Sequence, residues 1–374
     1  MRNYFIAAGI AAASVGAALA VGAVMLQMLG ANPIDGYHTM FSAAFGSAEG
    51  LAATAVKAIP LMLVGVGICI AFRANVINIG GEGQMVLGGL FATMVALAIP
   101  EAPAVVLLPL VLLAGILGGA FWGAIPGALK AHFNVSEILS TIMLNIVAVQ
   151  LMNFLLRGPL IDPGEIERGT RIPQTARLPE GADMPMLSES LNLHAGILVA
   201  LVAAVGAWVL LWRTGLGFRL RSVGLNPAAA RYAGIPVKRN IIIAMTLSGA
   251  MSGLAGAILV FGSESHRMVT DGSTVGFTGS AGFNGIVVAL FGALHPLWTI
   301  PSSFLFGGML VGANSLQRVA QVPSALVIAL NGLIVVFVVS TEWHRKRLQS
   351  QAPAHAQSPD DVDQISNEQG SQST

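Results

Sequence analysis

Long apolar runs recur along nearly the whole chain, and short polar segments separate them. Runs of about 17 or more apolar residues are long enough to cross a bilayer as helices. Helices are favoured because backbone polar groups in hydrocarbon must be satisfied within the segment, and no run shows the alternation of a membrane barrel. The pattern predicts about ten membrane-spanning helices, the eighth too short to cross alone, at residues 5–29, 51–72, 83–99, 104–129, 137–156, 195–212, 241–262, 282–294, 297–316 and 323–340.

The composition agrees with a membrane protein. Hydrophobic residues make up 55% of the chain, charged residues make up 10%, and the mean hydropathy is +0.75, whereas soluble domains carry about 25% charged residues. We therefore predict an all-α polytopic membrane protein with one transmembrane domain at residues 1–340. Residues 341–374 lack apolar content and are predicted to form a disordered tail. The net charge of +1 gives no general attraction to nucleic acid, so membrane lipid is the expected surrounding.

The few charged residues are unevenly distributed between the two sides of the predicted bundle. The segment 213–240 is rich in Lys and Arg and contains no acid, which predicts a cytoplasmic loop by the positive-inside rule. The segment 158–193 has more acids than bases and lies an odd number of spans away, which predicts an external loop. Both termini then fall in the cytoplasm. The external loop is longer than an ordinary connection, which predicts a docking surface or a lid.

A short helix is predicted inside the basic segment. Asn226 is a favoured helix N-cap, Pro227 suits the first helical position, and Gly234 is a typical stop before Pro236. Two interpretations remain open. Either the helix lies on anionic lipid as an interfacial amphipathic helix, or its small-residue face at residues 228–230 inserts into a groove of another protein.

The segment NVINIGGEGQ at residues 75–84 places polar groups between two apolar runs. Its glycines disfavour a continuous helix, and irregular backbone at membrane depth is tolerated only where it lines a cavity or is covered by protein. A carboxylate at this depth is costly, which makes Glu82 a functional-site hypothesis. Either Glu82 caps the N-terminus of the third helix, or a broken helix places Asn78, Glu82 and Gln84 on a polar path; both can hold together.

Polar groups also recur on two other predicted spans. Glu137, Thr141 and Asn145 follow one another at four-residue spacing and lie on one helix face. They either hold helices together through hydrogen bonds or line the same path. The short eighth span begins with Phe283 and Asn284, an aromatic ring and an amide. A glycine-rich helix follows a polar or proline-containing break at two places, GEGQMVLGGLF and IPSSFLFGGML. This similarity is consistent with two inverted five-helix halves.

The sequence offers no constellation for catalysis. No Ser/His/Asp or Cys/His arrangement is apparent, and the histidines are scattered at predicted span ends and loops. Cys69 is the single cysteine and lies inside an apolar run, so the chain can form neither an internal disulfide nor a cysteine metal site. We therefore predict a protein that is not an enzyme, with no catalytic residues and no metal.

Three segments resemble one known family. They are GLGFRLRSVGLNPAAARYAGIPVKRNIIIAMTLSGAMSGLAGA at 215–257, FRANVINIGGEGQM at 72–85 and SEILSTIMLNIVA at 136–148. They resemble the inner-membrane permease subunits of bacterial ABC importers, in the branch that handles ribose, other simple sugars, nucleosides and branched-chain amino acids. The first segment is similar across the branch, whereas the other two are similar to nucleoside-type members.

The resemblance implies an importer in the bacterial inner membrane that relies on partners for energy. Two permease chains form the pore, and the second chain is either a different permease or another copy of this one. ATPase subunits bind the cytoplasmic loops, and an external binding protein delivers a nucleoside. No G-x-x-x-x-G-K-[ST] phosphate loop occurs, so the partners are expected to bind ATP and this chain no cofactor. The alternatives are a permease for simple sugars such as ribose, or an ion-coupled transporter that protonates Glu82 or Glu137.

The resemblance also implies residue roles. The helix at about 226–234 docks in a cleft of the ATPase. The residues implied for this coupling are Ala228, Ala229, Ala230 and Gly234 for close contact, and Arg219 and Arg231 for charge pairing. The residues expected on the substrate path are Asn78, Glu82, Gln84, Glu137, Thr141, Asn145, Phe283 and Asn284.

Overall fold

The chain divides into two compact units, Leu26–Val327 and a second unit made of Met1–Met25 with Ile328–Thr374. The computed structural model describes residues 16, 20–28, 30, 32–263, 265–273 and 276–319. Every helix and strand with described bounds belongs to the first unit. Most of the predicted span 5–29, the span 323–340 and the predicted tail 341–374 lie outside the described residues.

The first unit is a bundle of helices with one small hairpin. In chain order its helices are α1 (Pro33–Phe45), α2 (Ala48–Arg73), α3 (Gly81–Ala98), α4 (Ala104–Phe133), α5 (Glu137–Arg157), α6 (Pro163–Glu167), α7 (Gly196–Arg213), α8 (Gly215–Leu225), α9 (Pro227–Tyr232), α10 (Val237–Phe261), α11 (Ala281–Phe291) and α12 (Thr299–Val319). A 3-10 turn covers Glu180–Ala182, and strands β1 (Met186–Ser188) and β2 (Leu193–His194) pair antiparallel before α7.

Within the described part of the chain, six helices are long and apolar enough to cross a membrane: α2, α3, α4, α5, α7 and α10. Each coincides with a predicted span to within a few residues at either end. The protein is therefore a multi-pass membrane protein. α11 is short, as predicted, and α12 lies where the span 297–316 was expected but carries several polar side chains and is not one of the six.

The helix α1 was not predicted. Its start carries a clear signal, because the Asn32 side chain accepts a hydrogen bond from the Ile34 amide (3.0 Å) and Pro33 occupies the first helical position. Only Gly36 and Ala44 of this helix are buried. Such a helix lacks the continuous apolar run on which the assignment of spans depends.

Backbone-to-backbone contacts join α3, α4 and α10. The residues at these contacts are Gly88, Gly115, Gly119, Gly249 and Gly253, which we call the glycine seam. A Cβ atom on Gly119 would lie 2.2 Å from the Gly249 carbonyl oxygen, and one on Gly253 would lie 2.2 Å from that of Gly115. Small residues allow this approach, which lets helices associate tightly in lipid. The close packing predicted for glycine-rich spans is therefore present here.

Different loop segments lie at the two ends of the bundle. We call the end that carries residues 213–240 the basic end and the end that carries residues 158–193 the loop end. A cavity at the basic end is lined by residues that follow α2, by Lys130 near the end of α4, and by the starts of α5, α9 and α10. α2 and α4 therefore end there, while α5 and α10 begin there.

The loop end is held by hydrogen bonds between residues 158–193 and residues 265–273. The Leu178 amide donates to the His266 carbonyl (2.8 Å), and Arg267 Nη1 lies 2.6 Å from Asp162 Oδ2. The Gly164 amide and the Arg267 guanidinium hold the pKa of the Asp162 carboxyl below its usual range. The long segment is thus pinned to the end of the bundle.

Candidate functional site

The segment between α2 and α3 turns inward, and its polar side chains pair inside the bundle. Asn78 is 1% exposed. Its Nδ2 donates to Gln84 Oε1 (2.9 Å) and to Ser248 Oγ (2.7 Å), and its Oδ1 accepts from the Gly80 amide (2.8 Å) and from Gln84 Nε2 (3.1 Å). All the hydrogen-bonding capacity of this side-chain amide is used within the chain.

Asn145 caps the start of α3 from the neighbouring helix α5. Its Oδ1 accepts from the Gly83 amide (2.9 Å), and its Nδ2 donates to the Ile79 carbonyl (2.9 Å). The N-cap residue Gly80 has no side chain that could accept from an amide of the first turn. Asn145 therefore satisfies an amide that a helix start leaves without a partner. Thr141, one turn earlier, donates to a carbonyl of its own helix (2.6 Å).

Glu82 caps a helix other than its own. Its carboxylate accepts hydrogen bonds from the Thr278 hydroxyl and from the Phe283 amide (3.0 Å) in the first turn of α11. The N-cap residue Ser280 makes no side-chain cap, so Glu82 supplies an acceptor and meets the positive end of the α11 dipole. The two helix starts touch, because a Cβ atom on Gly282 would lie 2.4 Å from the Glu82 amide nitrogen.

We call residues 78–84, Asn145 and residues 278–283 the helix junction. It lies deep in the bundle, since Asn145 is about 12 Å along α5 and Ser248 about 16 Å along α10 from the basic end. α3 runs from the junction to the loop end, where Thr93 hydrogen-bonds the segment after α10, and α11 runs to the basic end. Two helices therefore begin near the middle of the bundle, an arrangement found at solute and ion sites of transporters.

These contacts correct the interpretation that Glu82 caps the third helix. The start of α3 is capped by Asn145, and the carboxylate of Glu82 reaches α11 instead. The reason is geometric: the first turn of α3 lies directly against the first turn of α11, so a side chain there faces the amides of the other helix.

Five of the residues expected on the polar path have buried side chains in the junction or, for Thr141, beside it: Asn78, Glu82, Gln84, Thr141 and Asn145. None of them is more than 4% exposed. Phe283 and Asn284 lie in the first turn of α11 with partly exposed side chains, and Phe283 is 41% exposed. Glu137 lies apart at the basic end, where its Oε2 is 2.9 Å from Lys130 Nζ.

The short helix predicted in the basic segment is present as α9. Asn226 Oδ1 accepts from the amides of Ala228 and Ala229 (3.0 Å each), and Pro227 occupies the first position. The chain leaves the helix at Gly234, whose φ of +78° is a left-handed conformation that glycine adopts without strain. Both cap signals in the sequence therefore correspond to structure.

The two faces of α9 differ in exposure. Ala230 is buried in a small cluster with Val223 and Val237, so it holds α9 to the bundle. Leu225 is 88% exposed and Tyr232 is 95% exposed, and neither was predicted. The predicted coupling residues that share this exposure are Arg219, Ala228, Ala229, Arg231 and Gly234.

Trp212, near the end of α7, contacts two arginines and a histidine at the basic end. The Arg73 guanidinium lies 5.0 Å and that of Arg221 5.9 Å from the Trp212 ring centroid, and the His295 ring lies 4.8 Å from it. Arg73 Nη2 also donates to the Leu294 carbonyl (3.1 Å). Burial and the Arg73 charge lower the pKa of His295. The cluster connects α8 to the segment that follows α11.

Comparison with known proteins identifies the family. A family model described as branched-chain amino acid transport system, permease component, matches residues 50–339, which include the helix junction and the basic segment. The chain belongs to this family. The family predicted from three segments of the sequence is thus confirmed, and the protein is a transport protein rather than an enzyme.

The permease has relatives that match it over most of its length. It is 36% identical over 353 residues to the glucose ABC transporter permease protein TsgB13 of Haloferax volcanii; the alignment covers 91% of this chain and 90% of the relative. It is 36% identical over 323 residues to the guanosine ABC transporter permease protein NupP of Bacillus subtilis, with coverages of 86% and 90%. It is 32% identical to the nucleoside ABC transporter permease protein NupB of Lactococcus lactis subsp. cremoris, with coverages of 85% and 86%. No solved structure matches the chain.

Proposed function

We propose that the permease is the pore-forming subunit of an ABC importer for nucleosides in a bacterial inner membrane. The observation that carries this proposal is the helix junction. There the two segments similar to nucleoside-type permeases, 72–85 and 136–148, meet through the hydrogen bonds of Asn145 with Ile79 and Gly83. Relatives named for guanosine and for nucleosides, each matched over more than four fifths of this chain, support the same substrate class.

The proposed solute path follows the outward side of the first turn of α11. Phe283 offers a ring on which a nucleobase stacks, and the half-buried Asn284 amide offers a donor and acceptor for ribose or base. The amides of Asn78, Gln84 and Asn145 are bonded within the chain, so they hold the junction in shape beside the path. A second permease subunit, a different chain or another copy of this one, closes the open side.

The inverted arrangement of two five-helix halves is part of the proposal. With the predicted spans 5–29 and 323–340 included, α3 is the third span and α11 is the eighth, so they occupy the same place in the two halves. They begin together and run in opposite directions, which supports inverted repeats. The sequence similarity between GEGQMVLGGLF and IPSSFLFGGML pairs the third span with the ninth. It therefore does not agree with the pairing of the third span with the eighth.

The outward surface at the basic end is the proposed ATPase contact. Leu225 and Tyr232 present apolar surface outside the six long apolar helices, and Arg219 and Arg231 add positive charge. Tyrosine and arginine are frequent among the residues that dominate binding at interfaces. The basic end is then cytoplasmic, both termini lie on that side, and ATP is bound by the ATPase subunits. At the loop end, the pinned segment 158–193 suits docking of an external binding protein better than it suits a lid.

Two other functions predict different behaviour. A sugar permease is favoured by the relative named for glucose, which matches 91% of this chain. An ion-coupled transporter needs a carboxylate that exchanges protons during transport, yet Glu82 is bonded to Thr278 and Phe283, and Glu137 is paired with Lys130. The decisive measurement is uptake of labelled guanosine, adenosine, uridine, ribose and glucose by cells that express the permease with its genomic neighbours. Nucleoside uptake that stops when ATP is depleted is expected; uptake of sugars alone, or uptake driven by the proton gradient, would contradict the proposal.

We expect Phe283→Ala to raise the KM for nucleoside uptake about threefold to tenfold, because aromatic stacking contributes about 0.5–1.5 kcal/mol beyond buried area. Phe291→Ala is the matched control, since this residue lies on the same helix and is 43% exposed compared with 41% for Phe283. Its KM should stay unchanged. Equal effects of the two substitutions would remove Phe283 from the path.

We expect Tyr232→Ala to weaken ATPase binding about 30-fold, since loss of a central aromatic contact costs about 2 kcal/mol or more at an interface. ATP hydrolysis stimulated by the loaded binding protein should fall with it, as measured in proteoliposomes at fixed ATPase concentration. Tyr232→Phe keeps the ring and should behave like the native chain. Full stimulation of the alanine variant would place the ATPase contact elsewhere.

A further inference from the structure

A second cavity lies at the loop end, away from the helix junction. Its volume is about 590 Å³, within the range of about 300–1,000 Å³ that small-molecule sites occupy. Residues from the first half of α2, the end of α10 and the segment 183–192 line it. Lys57 lies about 13 Å along α2 from the loop end. Val64, which packs against Gly81 of the junction and Gly285 of α11, lies about 10 Å further along the same helix.

Lys57 is the unusual residue of this cavity. It interrupts an otherwise apolar part of α2, the sequence around it reading AVKAIPLMLVG, and its side chain is exposed to the cavity. Among the residues that the structure describes, none forms a hydrogen bond or ion pair with its ammonium group. A charged group at this depth is costly unless it faces a water-filled space or a partner. Lys57 therefore offers as many as three donors to the cavity.

Other residues that line the cavity offer an acceptor and apolar surface. Oδ1 of Asp183 is buried and accepts no hydrogen bond from the described residues, while Oδ2 lies 2.8 Å from His266 Nδ1. Burial raises the pKa of the Asp183 carboxyl, and His266 opposes this shift. Met184 and Phe261 contribute apolar surface. The cavity thus combines a donor, an acceptor and apolar surface. Its two acids, Glu49 and Asp183, offset the charge of Lys57 and disfavour a purely anionic ligand.

We propose that this cavity is an outer binding site for the transported solute, through which a neutral nucleoside passes before it reaches α11. Lys57 donates to a carbonyl or ring nitrogen of the base, and Asp183 accepts from a hydroxyl or amino group. The nucleoside lies against the apolar surface. This inference rests on the proposed function but concerns a site that shares no residue with the helix junction.

The test uses cysteine accessibility, for which the chain is well suited. Its single cysteine, Cys69, is buried, so the native chain should react little with a charged, membrane-impermeant methanethiosulfonate. Ala53→Cys places a reporter in the cavity one turn from Lys57, and Leu51→Cys places one at an exposed position on the same helix outside the cavity. Saturating nucleoside should slow modification at position 53 about tenfold and leave position 51 unchanged.

The role of Lys57 is tested by adding Lys57→Met to the Ala53→Cys chain. Nucleoside should then protect about tenfold less well at equal concentration, because hydrogen bonds to a charged group are the stronger ones, while Lys57→Arg should keep protection. Protection that is absent, or equal at positions 51 and 53, would overturn the inference. So would protection that survives Lys57→Met. Uptake by the native chain, measured in the same cells, distinguishes a failure of the outer site from a failure of the proposed function. Nucleoside uptake without protection of position 53 would refute the outer site alone. Uptake of a sugar, with protection of position 53 by that sugar, would refute the nucleoside assignment alone.

Discussion

Replacement of Glu82 by leucine should lower the rate of solute uptake strongly. The Phe283 amide loses the carboxylate oxygen to which it donates, and a buried donor left without a partner costs about 1–3 kcal/mol. The hydrogen bond from the Thr278 hydroxyl to Glu82 is also lost. The negative charge that meets the start of α11 is lost as well. We expect uptake to fall at least tenfold, about 1.4 kcal/mol, and the melting temperature of the purified permease to fall with it. The measurement is initial uptake rate divided by the amount of permease in the membrane.

Two substitutions control this experiment. Glu82→Gln keeps a carbonyl oxygen as acceptor and should retain a substantial part of the uptake, whereas Glu101→Gln changes an exposed acid just after α3 and should have no effect. The same pair separates the mechanisms. In an ion-coupled transporter, glutamine at position 82 could not carry a proton and would abolish accumulation. Native uptake by the leucine variant would show that the cap on α11 is dispensable.

Gly253→Ala should prevent the permease from folding stably. Its Cβ atom would lie 2.2 Å from the Gly115 carbonyl oxygen and 2.7 Å from the Gly119 Cα atom, and both are backbone atoms that cannot rotate away. α4 and α10 would have to separate, with a destabilisation at the upper end of the 1–3 kcal/mol typical of overpacking, or above it. The measurement is thermal unfolding in detergent followed by size-exclusion chromatography. Gly206→Ala on α7 is the control, because no atom of the described residues beyond its own stretch of helix lies within 4 Å of its Cβ position. Equal melting temperatures for the two variants would contradict the seam.

The positions of the six long apolar helices could be predicted from the sequence because hydropathy reports on each segment separately. The partners of the polar groups could not. Glu82 and Phe283 are 201 positions apart in the chain, and neither the spacing around Glu82 nor the break before α11 says that the two helix starts meet. Five of the predicted path residues lie close together and Glu137 lies apart. Asn78 and Asn145 are hydrogen-bonded inside the chain, which only the three-dimensional arrangement reveals.

The short helix at the basic end shows a similar limit. Its start and stop could be predicted because capping residues act locally. The interpretation that Ala228, Ala229 and Ala230 form one contact face meets a geometric difficulty, because consecutive helical residues point about 100° apart. Ala230 turns toward Val223 and Val237, and the outward surface includes Tyr232. Lys57 was also overlooked, although a lone lysine inside an apolar run is a signal visible in the sequence.

The glycine seam also determines which parts of the bundle can move. Where backbones touch directly, no side chain can change rotamer to let one helix slide past another, so α3, α4 and α10 move as one body. The first turn of α11 also touches the α3 backbone directly, at Gly282, so it stays with this body. The far end of α11 is held through side chains instead, in the Trp212 cluster, and such contacts can rearrange. We therefore expect that end of α11 to swing about its first turn when the proposed solute path opens to one side of the membrane and then to the other.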